Sequence, residues 1–332
     1  MKALAFMPYP GLAGPHCQTV GGWLLGASAR PAWRHERLEL ADGDFVDLAH
    51  LPGTSGRRIC LFHGLEGCLY SHYVGGLACA LNAHGHAVTF MHFRGCSGEP
   101  NRLPRAYHSG DTGDIAALLT ELRRRDPMQS LAAVGFSLGG NALLKYLGEQ
   151  GNETPLAAAV AVSVPFDLAA CARRIDQGFS RIYQYYLVRH MKASTRLRAR
   201  RVGALSIDRE KMERSRSFRD FDDCVTAPLH GFADADDYYA RASSRPWLPR
   251  IVVPTLLIQA LDDPFVGPGP VPRAADVSAS TERAVSAYGG HVGFLARPAS
   301  GCARPLRWLE WAIPRWLDTP LAGAEPTESA PR

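Results

Sequence analysis

The stretch GFSLGGN, residues 135–141, sets one hydroxyl among glycines: Gly135-Phe136-Ser137-Leu138-Gly139 reads G-x-S-x-G. It follows an apolar run, SLAAVGF (130–136), and precedes a helix-like run, NALLKYLGEQG (141–151). A strand, a sharp turn and a helix are the context a nucleophile elbow requires. Such a turn forces the nucleophile into a strained backbone conformation. Glycines two before and two after it let strand and helix pack closely. The Ser137 oxygen then stands at the carboxyl edge of a sheet, near the positive end of the following helix. The bland alternative is a glycine-rich turn with an incidental serine.

A serine alone is a poor nucleophile and needs a base and an orienting acid. After an elbow of this kind the acid comes next in the chain and the histidine last. The apolar run VPTLLIQA (253–260) ends in Leu261-Asp262-Asp263-Pro264, where an acid at a strand's carboxyl end belongs. Taking Ala260 as the small residue of a G-x-x-D turn selects Asp263. Asp262 then becomes a turn carboxylate or a neighbour of the acid, and stays open as the rival. His291, in Tyr288-Gly289-Gly290-His291-Val292-Gly293-Phe294, has flanking glycines that let a loop return it to Ser137.

Acyl transfer also needs donors for a developing oxyanion. One is the backbone N–H of Leu138. The other is the N–H of Leu65, in the loop His63-Gly64-Leu65-Glu66-Gly67, with His63 and Gly64 shaping that loop. An ordinary glycine-rich turn is the alternative there. His108 lies in a loop and is a further candidate to face the site. His84, His86 and His92 alternate, but no carboxylate–histidine pattern accompanies them, so no metal site is expected. Chemistry by this set of groups needs neither a metal nor an organic cofactor.

The elements that must hold these residues alternate. RRICLFHG (57–64), HAVTFMHFRG (86–95), SLAAVGF (130–136), LAAAVAVSVP (156–165) and IVVPTLLIQALDDPF (251–265) read as strands. YSHYVGGLACALNAHG (70–85), SGDTGDIAALLTELRRRD (109–126) and NALLKYLGEQG read as helices. Arginines close the second of these, as the helix dipole favours. Strands apolar throughout and separated by helices predict an α/β fold with a mostly parallel sheet covered on both faces. The alternation stops over residues 166–247, which read as a helical, Arg-rich insertion. It divides a core of residues 1–165 from a second part at 248–318, which ends in an amphipathic helix over 304–317. The segment 319–332 is expected to be disordered.

The chain has 332 residues, 46% hydrophobic, enough for a large core. No apolar run approaches the roughly 20 residues a membrane span needs. Pro8 and Pro10 break the N-terminus too early for a signal-peptide core. Eight scattered cysteines with no CxxC pair argue against a zinc ribbon and a disulfide framework. A cytoplasmic, reduced protein is the expectation. The net charge of +5 is local: residues 181–220 hold twelve Lys or Arg against four Asp or Glu. That patch reads as a solvated helical face, or as a surface for transient contact with an anionic membrane. No nucleic-acid motif accompanies it, and no nucleic-acid partner is expected.

Taken together, HGLEG, FRGCSGEPNRLPRAYHSGDTGD, GFSLGGN, ALDDPF and GGHVGF resemble the YheT-like branch of the α/β hydrolases. PHCQTV (15–20) and VSVPFDLAACA (162–172) are similar too, so the resemblance spans about residues 10–315. Cys68, where a small polar residue is usual, and the Arg-rich insertion depart from the pattern. The resemblance implies an α/β-hydrolase core, a helical lid and a Ser137-Asp263-His291 triad. It also implies esterases, medium-chain ester synthases and phospholipase-like enzymes as relatives. In the FRGCSGE block, Arg94 is expected to pair with Asp111 beside the site or within the scaffold, and Ser109 or Asp111 to cap a helix. Phe179, Tyr183, Tyr185 and Tyr186 line an acyl pocket or form the lid's own core.

The reading is a serine hydrolase of carboxylic esters, short- to medium-chain or lipid-like, working through an acyl-enzyme. Its rivals are an acyltransferase with the same triad and a non-catalytic lipid- or protein-binding module using the basic insertion.

Overall fold

The computed structural model describes residues 5–25, 29–203, 205–298 and 304–322. The chain begins with a helix, α1 (Pro15–Leu24), and a hairpin, β1 (Arg34–Glu39) and β2 (Phe45–Leu51). It continues through β3 (Arg57–Phe62), α2 (Val74–Ala83), β4 (Ala87–Met91), α3 (Gly113–Arg125), β5 (Ser130–Phe136), α4 (Leu138–Gln150) and β6 (Leu156–Val162). Six helices follow: α5 (Leu168–Ile175), α6 (Ser180–Val202), α7 (Arg209–Arg214), α8 (Phe218–Phe221), α9 (Ala227–His230) and α10 (Ala235–Ala242). The sheet resumes with β7 (Thr255–Ala260) and β8 (Thr281–Ser286). After a small ribbon, β9 (Leu295–Ala296) and β10 (Leu306–Arg307), the last described element is α11 (Trp308–Ala322).

Among the described residues, eight strands form one sheet in the order β1-β2-β4-β3-β5-β6-β7-β8. The pairs from β4 to β8 are parallel, and β1 and β2 add an antiparallel edge. The inner strands read as continuous apolar runs because both faces are buried. In β3, Ile59 and Leu61 join one core with Leu77, Leu81, Ile313 and Trp316 from α2 and α11. Cys60 and Phe62 join the other, with Ile115, Leu119, Leu143 and Leu147 from α3 and α4. The same alternation splits Val160 from Ala161 in β6.

The hairpin β1–β2 is absent from the sequence reading. Its signal was Asp42-Gly43 between two alternating runs, and Gly43 takes φ +84°. Two expectations also need correcting. Helix α3 starts at Gly113 after Thr112, and neither Ser109 nor Asp111 caps it. Those residues are occupied elsewhere: the Ser109 N–H donates to the Tyr238 hydroxyl at 3.0 Å, and Asp111 accepts from Arg105 at 2.7 Å.

The boundary of the expected tail moves as well. Helix α11 continues to Ala322, because Leu321 is buried in the first core and Asp318 is anchored. His84 Nδ1 and His86 Nε2 lie 2.7 and 3.1 Å from its two carboxylate oxygens. Residues 323–332 lie outside the described residues. No helix among the described residues is long and apolar enough to cross a membrane.

Candidate active site

Ser137 sits between the last residue of β5 and the first of α4, with φ 50° and ψ −118°. A non-glycine residue there is strained, and the surroundings must hold it. The Ser137 N–H donates to Val162 O at 2.8 Å, which ties the turn to β6. The glycines are there for close approach. A Cβ on Gly139 would stand 2.5 Å from His63 O, and one on Gly135 would stand 2.6 Å from Gly139 O. The helix starts three residues earlier than the sequence suggests, so Leu138 is its first residue and its N–H has no acceptor within the helix.

His291 arrives from the loop after β8. Its Nε2 lies 3.0 Å from Ser137 Oγ and its Nδ1 lies 2.9 Å from Asp263 Oδ2. A Ser137 hydroxyl that donates to Nε2 leaves the proton on Nδ1, where the carboxylate accepts it. Asp263 is fully buried. Its other oxygen accepts from the N–H groups of Phe265, at 2.8 Å, and Val266, at 3.3 Å. The Phe265 ring stacks on the imidazole, with centroids 4.1 Å apart and 11° between planes.

Asp262 reaches a different group. Its Oδ1 accepts from the Gly290 N–H at 2.9 Å, so it braces the histidine loop. Burial raises its pKa above the usual carboxylate value.

The N-terminal helix braces the same loop, which the sequence reading missed. The His291 N–H donates to Thr19 Oγ1 at 3.0 Å, and Gln18 Oε1 accepts from the Leu295 N–H at 2.7 Å. The loop lies so close to α1 that a Cβ on Gly293 would be 2.2 Å from Gln18 O. The PHCQTV segment was visible in the sequence, but nothing in it says which loop it holds. Ser163, the residue after β6, adds a third brace by accepting from the Val292 N–H at 2.9 Å.

The loop after β3 runs alongside the elbow: a Cβ on Gly64 would stand 3.2 Å from Ser137 Cβ. The Gly64 N–H donates to the Tyr73 hydroxyl at 3.0 Å and the Glu66 N–H to the Tyr107 hydroxyl at 2.8 Å. The Leu65 N–H between them has no acceptor among the described residues. His63 fixes the loop's root. Its Nε2 accepts from the Phe93 N–H at 3.0 Å, so Nδ1 carries the proton and donates to Gly64 O at 2.7 Å. Burial pushes its pKa down to about 3, so the ring is neutral.

Arg94 does not pair with Asp111. It is buried and bidentate to Asp114, at 2.8 and 2.7 Å, and reaches Asp42 at 2.7 Å. It therefore clasps α3 to the β1–β2 turn. His108 packs against His230, Phe232 and Tyr238 of the insertion, with centroids 4.7 to 5.8 Å apart, rather than beside His291. Of the four insertion aromatics, Tyr183 packs on the Phe265 ring, with centroids 5.1 Å apart, and that ring in turn stacks on His291. Phe179 and Tyr183 pack on His16. Tyr185 and Tyr186 are exposed.

The family model for the alpha/beta hydrolase fold matches residues 57–298. The chain is also 44% identical, over 95% of its length and 94% of the other's, to YheT of Escherichia coli (strain K12), provisionally named an esterase. This chain belongs to the α/β hydrolases, in the YheT-like branch. The YheT-like chain is 31% identical to phospholipase ABHD3 of Mus musculus, over 79% of its own length and 66% of that protein's. It is 32% identical to medium-chain fatty acid ethyl ester synthase/esterase 2 of Saccharomyces cerevisiae, over 71% of its length and 58% of the other's. Among solved structures, the Pyrococcus furiosus esterase Pf2001 shares the fold at a TM-score of 0.54 and 15% identity, over 95% of this chain and 96% of that one.

Proposed function

We propose that this YheT-like hydrolase cleaves carboxylic esters through a serine acyl-enzyme. The observation that carries the reading is the continuous line Ser137 Oγ, His291 Nε2, His291 Nδ1, Asp263 Oδ2, at 3.0 and 2.9 Å, on a strained elbow. His291 Nε2 takes the hydroxyl proton as Ser137 Oγ attacks the ester carbonyl carbon. Asp263 holds the imidazole in the Nδ1–H tautomer and stabilises the cation that forms. The N–H groups of Leu65 and Leu138 receive the oxyanion. The tetrahedral intermediate collapses, and the leaving alkoxide takes the proton from Nε2. Water then gives a proton to Nε2 and attacks the acyl carbon. The acid departs, and Ser137 regains its proton.

Helices α5–α10 act as a lid in this reading. Support comes from the Leu65 side chain, which packs under the insertion's own core of Met191, Met212, Phe221 and Val225. The exposed Ile182, Tyr185 and Tyr186 beside Arg181 and Arg189 support transient contact of this lid with an anionic membrane. The cytoplasm is the proposed compartment, which seven unpaired cysteines among the described residues fit.

The test is turnover of 4-nitrophenyl esters from acetate to decanoate by wild type and Ser137→Ala, with ethanol added in a second series. The expected result is acid release lost by at least ~10³-fold in the variant. Ester formation from ethanol in preference to hydrolysis would instead make the protein an acyltransferase. Equal rates for both proteins would overturn the reading.

A further inference from the structure

Several arginines on the outer face of the insertion have carboxylate partners. Arg196 pairs with Glu213, Arg214 with Glu210, Arg219 with Asp236 and Arg241 with Asp237. Arg198 is the reverse case. It lies on the inner face of α6, 6% exposed, and its guanidinium makes no hydrogen bond or ion pair among the described residues. A buried unpaired guanidinium is costly, because it keeps its proton at any working pH and has five donors to satisfy. Its nitrogens are not among the sealed, unpartnered polar atoms of the fold, so they open onto accessible space.

The position of that space follows from the neighbours. Arg198 is one helical turn beyond Ser194, whose hydroxyl donates to Glu66 Oε2 at 2.6 Å. Glu66 follows Leu65, and Gly64 abuts Ser137. On the other side, a Cβ on Gly95 would be 3.3 Å from Arg198 Nη2. The guanidinium therefore sits over the loops that follow β3 and β4, beside the run of chain that leads from Ser137 through Leu65. Two carboxylates bear on Arg198 electrostatically, Glu66 and Asp44. Neither is hydrogen-bonded to it: Glu66 serves Ser194 and the Tyr107 hydroxyl, the latter at 3.3 Å, and Asp44 serves Arg94 and Asn101.

We propose that Arg198 binds an anionic group, a carboxylate or a phosphate, carried by the ester that Ser137 attacks. This rests on the hydrolase reading above and adds a substrate class to it. An Arg fork suits either anion because its parallel N–H groups match two oxygens. The group would enter between the lid helix α6 and the loop of Glu66, while the ester carbonyl lies at Ser137. Arg198 is then a specificity residue rather than a catalytic one.

The experiment compares neutral and anionic esters on wild type, Arg198→Gln and Arg198→Lys. The pairs are 4-nitrophenyl butyrate against mono-4-nitrophenyl succinate, and monobutyrin against butyryl glycerol 3-phosphate. The quantity read is the ratio of kcat/KM, anionic over neutral, within each pair. The expected result is a ratio above one in wild type for at least one pair. That ratio falls ~10–100-fold in Arg198→Gln, mainly through KM, and is partly restored in Arg198→Lys. The pair that responds tells carboxylate from phosphate.

A ratio that Arg198→Gln leaves unchanged, with both rates lowered together, would make Arg198 a structural residue and overturn the proposal. So would a wild type that favours the neutral ester in both pairs. Fluorophosphonate labelling of wild type separates this from failure of the hydrolase reading. If Ser137 does not label, thermal stabilisation by succinate or glycerol phosphate in wild type but not in Arg198→Gln still supports the anion site. Its absence refutes it.

Discussion

The backbone N–H of His291 donates to the side chain of Thr19 at 3.0 Å, joining residues 272 positions apart. An N-terminal helix thus holds the loop that carries the proposed general base. Replacing Thr19 by Val keeps the shape and removes the acceptor. The expected outcome is a loss of ~1 kcal/mol of stability and a fall in kcat of roughly tenfold, read by thermal unfolding and ester turnover. Unchanged kcat would mean that Asp262 and Ser163 suffice to place the loop.

The two adjacent aspartates make different contacts, Asp263 with His291 Nδ1 and Asp262 with the Gly290 N–H. Asp263→Asn leaves the hydrogen-bonding shape but favours the wrong imidazole tautomer, and kcat is expected to fall ~10³–10⁴-fold with little change in KM. Asp262→Asn keeps an acceptor for the Gly290 N–H, and its kcat should stay within about tenfold of wild type. Measuring both with one ester decides the assignment, and a reversed order would give the acid role to Asp262.

Asn141, the last residue of GFSLGGN, is fully buried and uses its whole amide. Its Nδ2 donates to Ser109 O and Ala242 O, each at 2.8 Å, and its Oδ1 accepts from the Ser244 N–H at 2.9 Å. It ties the elbow helix to the end of the insertion. Asn141→Leu strands two carbonyls and an amide, and a loss of roughly 3 kcal/mol is expected in urea unfolding. A loss under 1 kcal/mol would show that water replaces the amide there.

Stability should fall with acid from about pH 6.5 downward, because buried neutral histidines must not take up the proton that the unfolded chain binds. His63 is neutral in the fold, with its pKa at about 3, and ionises near 6.5 when unfolded. Between those values the unfolded state binds the extra proton. Its contribution is therefore complete above pH 6.5 and declines as pH drops toward 3, by ~1.4 kcal/mol per pH unit. His63→Gln should flatten the unfolding free energy against pH over pH 6 to 4. An unchanged slope would show that His63 is not the group responsible.

The elbow and the histidine loop were legible because their signals are local. Glycines at fixed offsets from Ser137 and His291 report backbone crowding that the structure contains. The parallel sheet was legible because strands buried on both faces leave unbroken apolar runs. Arg94 shows where such reading ends. Asp111 and Asp114 stand three residues apart, one before α3 and one in its first turn, and only the fold decides which meets Arg94. The Thr19 and Gln18 braces are tertiary contacts with no periodicity to announce them. At the C-terminus, Pro320 and small residues suggested a tail, but Leu321 had core to fill and Asp318 had two histidines to meet.

Every proposed step depends on Ser137 being an activated nucleophile. Fluorophosphonate labelling, followed by intact-protein mass for wild type, Ser137→Ala and His291→Ala, tests it most directly. The expected result is one adduct per wild-type chain, none on Ser137→Ala, and labelling slowed by at least ~10²-fold in His291→Ala. Folded wild type that stays unlabelled, or Ser137→Ala that labels like wild type, would contradict it.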